Sequence, residues 1–241
     1  MTPAVLNLHN HTPFSDGAYT IDELCEAHLD LAGCKVDGIG ISDHLFCTPS
    51  SREITNDREF ERIFVPETRS YVAEVRAARQ RWAGKLQVFC GAEINYPKNR
   101  GMLDRIRTML DGVDYVIFEY VDWAGLTHLA NQSRRWPCPI GLAHTAVHSQ
   151  YPNTSLDQVV RTLANARIFY EVSSKFLPLD GHEAWLRTLP GHRVAVTVGT
   201  DTHDDLRVLR DIPTLYDTVR RFGLESKLLT PAARMEPAMS A

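Results

Sequence analysis

Seven short apolar runs punctuate the chain: Ala4–Leu8, Gly38–Ile41, Leu86–Cys90, Tyr115–Phe118, Ile140–Ala143, Ile168–Val172 and Val194–Val198. Each is four or five residues long and bounded by polar or turn-forming residues, which predicts buried strands rather than helices. Between them the apolar positions fall at helical spacing, over Ile21–Leu31, much of Asp57–Trp82, Met102–Leu110, Gly125–Arg134, Leu156–Ala164 and Glu183–Thr188. A final pair of helical segments, Asp205–Arg210 and Leu215–Phe222, follows the seventh run. The first helix carries its own start signal, Thr20 with Glu23 three residues on, the two halves of a capping box. Strand–helix alternation implies parallel strands joined by right-handed crossovers. Seven such units suit a closed barrel better than an open doubly wound sheet. The expectation is a single-domain α/β barrel over residues 1–230, with residues 231–241, which have no pattern, as a disordered tail.

Composition narrows the class. The 241 residues are 44% hydrophobic and no Pro/Ser-rich linker divides them, so one sizeable core is expected. A formal charge of -4 argues against extended nucleic-acid binding. Five cysteines, none in a CxxC pair, indicate neither a disulfide framework nor a thiolate zinc site and suit a reducing compartment. No run resembles a signal peptide or is long enough to cross a bilayer. A cytoplasmic protein without membrane attachment is expected.

Residues that end parallel strands gather at one mouth of a barrel, and here they are chemically similar. The first run ends in His9 and His11, on one face of an extended chain, with Asp16 in the following loop. The second leads to Asp43 and His44, the third to Glu93, the fifth to His144, the sixth to Glu171 and Lys175, and the seventh to Asp201 and His203. Singly, each has an ordinary explanation as a hydrogen-bonded core histidine or a helix cap. Their recurrence at equivalent positions points instead to a metal centre. Imidazole with carboxylate and no thiolate suits Zn, Mn or Fe. Eight candidate ligands exceed the capacity of one ion, so two or three cations, bridged by Glu93 or Asp201, are expected.

The segments HNHTPFSDG, GIGISDH, FCGAE, GLAHT, YEVSS and GTDTH, spread from residue 9 to residue 203, resemble in order the motifs of the PHP (polymerase and histidinol phosphatase) superfamily. The resemblance implies a distorted (β/α)7 TIM-like barrel whose polynuclear metal centre hydrolyses phosphoesters. By position it implies that His9, His11, Glu93 and Asp201 hold one metal, that Glu93 and His144 help hold a second, and that Asp16, His44 and His203 serve a third. Asp43 and Glu171 would orient ligands rather than bind metal. The sequence departs from the family after the fourth run, where a histidine is usual and Glu119, Tyr120, Val121 and Asp122 stand instead. Glu119 is the favoured substitute, with Asp122, or His128 from the next helix, as alternatives.

The expected chemistry is hydrolysis of a small phosphomonoester by a metal-activated water, with no protein nucleophile assigned; no GxSxG or P-loop motif is present. Lys175 and Arg52 are candidate phosphate contacts. The segment Phe46–Arg62, with Arg52, Arg58 and Arg62, is a candidate lid, whereas Arg134 and Arg135 fall at an exposed helix end. His28, His148, His182 and His192 lack strand-end placement and are read as surface or core residues. Two rival readings are a phosphodiesterase or nuclease acting on nucleotides, and a metal-binding domain with a structural or regulatory role.

Overall fold

The computed structural model describes residues 3–45, 57–179 and 181–231; Arg52, most of the Phe46–Arg62 segment and residues 232–241 of the expected tail lie outside them. Among the described residues there are eight parallel strands: β1 (Leu6–Asn7), β2 (Gly38–Ile41), β3 (Gln87–Cys90), β4 (Glu93–Asn95), β5 (Val116–Glu119), β6 (Ile140–Leu142), β7 (Phe169–Ser173) and β8 (Val196–Gly199). The expected seven become eight because a further short strand, Glu93–Asn95, follows the third run after Gly91 and Ala92. β3 pairs with β2, and β4, just past the break, pairs with β5. The result is an α/β fold with two parallel sheets, ordered β1-β2-β3 and β4-β5-β6-β7-β8.

Backbone hydrogen bonds run between the sheets at two places. Leu8 N donates to Val198 O (2.8 Å), and Asn10 bridges to Thr202. At the break, Gly91 N still donates to Ile41 O within the β2–β3 ladder (2.6 Å), while Glu93 N crosses to Asp43 O (3.1 Å) and its own carbonyl accepts from Leu45 N (2.9 Å).

The buried side chains divide into two populations. A large one lies between strands and helices. A smaller one, Leu6, Leu8, Phe89, Tyr115, Ile117, Ala143 and Phe169, packs on the opposite face of the strands. Tyr115 is central to it. Its hydroxyl donates to Leu8 O (2.6 Å), and a Cβ at Gly40 would stand 1.9 Å from that oxygen, so glycine there makes room for a phenol. Pro231, the first residue of the expected tail, is buried.

The helices follow the predicted spans with shifted ends. Ile21–Leu29 is opened by the expected reciprocal cap, Glu23 N to Thr20 Oγ1 at 3.3 Å and Thr20 N to Glu23 Oε2 at 2.8 Å. The long segment runs Asp57–Glu59, a π-helical turn Phe60–Phe64, then Val65–Arg81. The helix expected from Gly125 begins at Trp123, because the Asp122 carboxylate accepts from Gly125 N (2.6 Å) and caps it. No helix among the described residues is long and apolar enough to cross a membrane.

Candidate metal centre

Period-two alternation along the strands builds the site. Phe89, Tyr115, Ile117 and Phe169 belong to the smaller buried population, and continuing each alternation past the strand interior reaches Glu93, Glu119 and Glu171. The layer beneath is apolar and the next layer is carboxylate. The three acids are 0 to 5% exposed.

Histidines converge on those acids. His9 Nε2 lies 3.0 Å from His11 Nε2, 3.2 Å from Asp201 Oδ1 and 3.4 Å from Glu93 Oε2. His144 Nε2 stands 3.1 Å from the other Glu93 oxygen, and His44 Nδ1 stands 3.1 Å from Glu93 Oε2. Glu93 therefore presents one oxygen to each side. Asp16, half exposed in the loop after β1, reaches His203 Nε2 at 3.3 Å and both His11 Nδ1 and His44 Nε2 at 3.7 Å.

Three sets of ligand atoms each lie within 4.8 Å of one another: His9, Glu93, His144 and Asp201; His11, Asp16, His44 and His203; and His44, Glu93 and Glu119. This differs from the division the family resemblance implies. His144 joins His9 and Asp201, while His11, at the start of the loop that carries Asp16, joins the Asp16 set. A neutral imidazole has one free lone pair, so His44 can serve the second set through Nε2 or the third through Nδ1, not both.

The tautomers favour ligation. His9 Nδ1 is 2.7 Å from Glu171 Oε1 and donates to it, leaving the Nε2 lone pair facing the cluster. The other Glu171 oxygen accepts from His144 N (2.6 Å), so one carboxylate fixes two histidines, an arrangement common behind metal ligands. His203 Nδ1 donates to Asp201 O (3.0 Å), freeing its Nε2. Asp43 makes no approach of this kind: Thr12 N, Thr12 Oγ1 and Ser15 Oγ all donate to it (2.6–2.7 Å). It pins the loop after β1 rather than a ligand ring. Those same bonds occupy the two hydroxyls, and neither is free to act as a nucleophile.

Electrostatics reveal a deficit of positive charge. Burial opposes a charge on His9, but the carboxylates of Glu171, Asp201 and Glu93 outweigh it and raise its pKa well above the ordinary value. Burial likewise opposes ionisation of Glu93 and Asp201. The charge on His9, with His144 and His11 at Glu93 and with His11 and Lys175 at Asp201, holds both carboxyls well below their usual range. His11 is pushed down to about 4 by burial and stays neutral. Glu119 is raised by burial and by the Glu93 charge. Lys175 ion-pairs with Asp201 Oδ2. Three buried carboxylates, Glu93, Glu171 and Asp201, thus face one ammonium, Lys175, and an imidazole, His9, that they drive toward protonation where no cation takes its Nε2 lone pair. Among the described residues, Glu93 Oε2 and His44 Nδ1 are buried without a well-formed hydrogen bond although 3.1 Å apart, and Asp201 Oδ2 is met only by Lys175 at the rim. Orphaned buried acceptors are costly, and a divalent cation satisfies both the charge and the lone pairs. The residues present therefore fit a metal centre.

The alternatives to Glu119 after β5 do not enter the cluster. Asp122 is the helix cap, and His128 is held outside by Tyr96 OH (2.8 Å) and Gln132 Nε2 (2.6 Å). Glu119 faces His44 at 3.8 Å and is fixed by Asn95 Nδ2 (2.9 Å). Arg58 and Arg62 are exposed on their helix, as are Arg134 and Arg135 on theirs. His28 and His182 are buried, His192 is half-buried and His148 is exposed.

Sequence reasoning passed over one residue at the mouth. Four non-glycine residues have positive φ: Tyr120 (55°), His144 (25°), Arg167 (56°) and Asp201 (52°). Arg167 caps a helix. The other three follow β5, β6 and β8, where a left-handed residue turns the chain at the strand end.

Residues 7–185 match the PHP domain family. No curated protein matches the chain in sequence. Among solved structures the fold is similar to that of histidinol phosphate phosphatase from Lactococcus lactis, which was determined with zinc, L-histidinol and phosphate. The two are 16% identical with a TM-score of 0.63, over 91% of this chain and 94% of that one. A chain of archaeal ribonuclease P, solved with mature tRNA, is 11% identical with a TM-score of 0.50, over 98% of each chain. At such identities the likeness concerns the fold.

Proposed function

The chain belongs to the PHP domain family, and from that premise we propose that it is a metal-dependent phosphoesterase acting on a small phosphomonoester, built on a (β/α)7 barrel. The observation that carries the reading is the convergence of His9, Glu93, His144 and Asp201, whose ligand atoms lie within 4.8 Å of one another, with a Glu93 oxygen left without a well-formed hydrogen bond. The structural neighbour solved with zinc and phosphate supports the same reading. In this reading the ladder break at Gly91–Ala92 is a distortion of the barrel, bridged by the bonds between Glu93 and the segment after β2.

His9, Glu93, His144 and Asp201 would hold one divalent cation of zinc, manganese or iron, and His11, Asp16, His44 and His203 a second. Glu119 with Glu93 would complete a third where His44 turns that way. Such cations supply an acidified water at neutral pH and offset the charge on the phosphoryl and leaving oxygens. The chain's own residues prepare the ground. Glu171 keeps His9 in the tautomer that points its lone pair inward, and Asp43 holds the loop that brings Asp16 over His11. Lys175, charged and half exposed, supplies positive charge at the rim for a phosphoryl oxygen.

The test is hydrolysis by metal-reconstituted protein of a panel of phosphomonoesters beside bis(p-nitrophenyl) phosphate. Monoester turnover that disappears on chelation is the expected result. Turnover of the diester alone would replace this reading with a phosphodiesterase. Metal binding without turnover of either would leave a structural or regulatory metal domain.

A further inference from the structure

Tyr120 directly follows β5, where that strand delivers its residue to the mouth, yet it is not a ligand type suited to these cations. It is 56% exposed, one of two large hydrophobic side chains so exposed among the described residues. Leu29, the other, sits at the end of a helix. Tyr120 shares its left-handed backbone with His144 and Asp201 alone among the strand ends, a conformation that costs an aromatic residue stability and that glycine would adopt freely. Its ring lies 6.4 Å from the His144 ring at 64°. Glu119 and Lys175 are charged groups beside it. The ring is thus left bare, and it borders both a candidate ligand and the candidate phosphate contact.

A bare aromatic ring fixed beside a phosphoryl site has one clear use. The left-handed backbone holds the residue at the strand end before a ligand arrives, so stacking on the ring orders less of the chain. The ring stands beside His144 at the exposed rim, so it meets the part of the substrate that projects from the phosphorus. We propose that Tyr120 determines specificity, as the platform on which the planar leaving group of a phosphomonoester stacks. This rests on the phosphoesterase reading above and narrows its substrate to esters of aromatic or heterocyclic alcohols and their like.

The test uses non-hydrolysable phosphonates, so that binding is read apart from the intrinsic reactivity of aryl esters. Affinities of phenylphosphonate and methylphosphonate are measured by calorimetry on the metal-loaded full chain, its Tyr120→Phe variant and its Tyr120→Leu variant, with metal content assayed alongside. Tyr120→Leu is expected to weaken phenylphosphonate by about two- to tenfold, the range of an aromatic pair, and to leave methylphosphonate and metal content unchanged. Tyr120→Phe keeps the ring and is expected to retain most of the phenylphosphonate affinity. The position being exposed and strained, Tyr120→Gly should fold with an equal or higher melting temperature while showing the same selective loss. Equal phenylphosphonate binding by the parent and Tyr120→Leu overturns the proposal, as does equal weakening of both phosphonates, and the phosphoesterase reading survives either result. Failure of the metal-loaded parent to bind any phosphonate or to hydrolyse any monoester overturns both.

Discussion

Two layers of the same strands, one above the other, obey opposite rules. The lower one, around Tyr115, Ile117 and Phe169, is apolar and fills its space so closely that Gly40, Gly91 and Gly141 have no room for a Cβ beside Tyr115 or Phe169. The upper one, reached two residues later along β5 and β7, holds Glu119 and Glu171, with Glu93 above Phe89, and leaves a buried Glu93 oxygen unsatisfied. The lower layer is optimised for folding and the upper for a ligand. A chain gives up stability in this way only where something binds.

The largest contrast is expected from one substitution in each layer. Phe169→Ala should cost ~3–5 kcal/mol of stability in urea unfolding of metal-free protein. Glu93→Gln should leave that unfolding curve nearly unchanged while lowering metal content and reducing hydrolysis by more than ~100-fold, beyond the loss typical of a residue that only supports a ligand. If Glu93→Gln destabilised the metal-free fold as much as Phe169→Ala does, the two layers would not differ as argued.

Gly199→Ala attacks the upper layer from behind. A Cβ there would stand 1.9 Å from Glu171 Oε1 and 2.6 Å from His9 Cβ, and Glu171 cannot retreat without releasing His9 and His144. Metal affinity should fall ~10–100-fold in competition with a chromophoric chelator. Gly191→Ala, with nothing within 4 Å of its new methyl, is the control; similar affinities for the two variants would refute the role of Glu171.

Glu119 offers a finer test. Glu119→Gln should remove part of one metal equivalent, and Glu119→His should retain more of it, because imidazole is a better ligand than a neutral amide. Unchanged stoichiometry in both would make Glu119 a bystander and assign His44 to the Asp16 set.

The smallest effect lies away from the mouth. His28 Nδ1 donates to Leu24 O (2.7 Å) and its Nε2 accepts from Asn7 Nδ2 (2.8 Å), so a proton would displace the Asn7 bond. Burial lowers its pKa to about 4. The folded state then resists protonation that the unfolded state accepts, so this contribution is intact above pH ~6.5 and declines as pH falls toward 4. Replacing His28 by Gln should flatten the pH dependence of stability in that window. An unaltered profile would mean other groups control it.

Much of this was legible beforehand because strand ends are fixed by burial, and burial is what an apolar run records. His9, His11, His44, Glu93, His144, Asp201 and His203 were found that way, and the structure brings them together. The strand Glu93–Asn95 was hidden because it lies past the end of the third apolar run, with polar residues at two of its three positions, and the break before it alters hydrogen-bond partners rather than side-chain burial. Asp122 looked like a ligand because a cap and a ligand are both acids after a strand; only the position of Gly125 N distinguishes them. Tyr120 escaped notice for a related reason. Its signal is a backbone angle, and in the sequence a strained tyrosine reads like any other.

The division into two sheets has a thermodynamic corollary. His9, His11 and His44 extend from β1 and β2, in the three-stranded sheet, whereas Glu93, Glu119, His144 and Asp201 belong to or follow strands of the five-stranded one. Every set of ligand atoms draws on both sides, so a bound cation acts as a rivet across the seam. Binding energy becomes resistance to opening, growing with the logarithm of free metal. Amide exchange should register it: in stripped protein the amides of Leu8 and Glu93, which donate across the seam, become the first core positions to exchange, and metal closes them together.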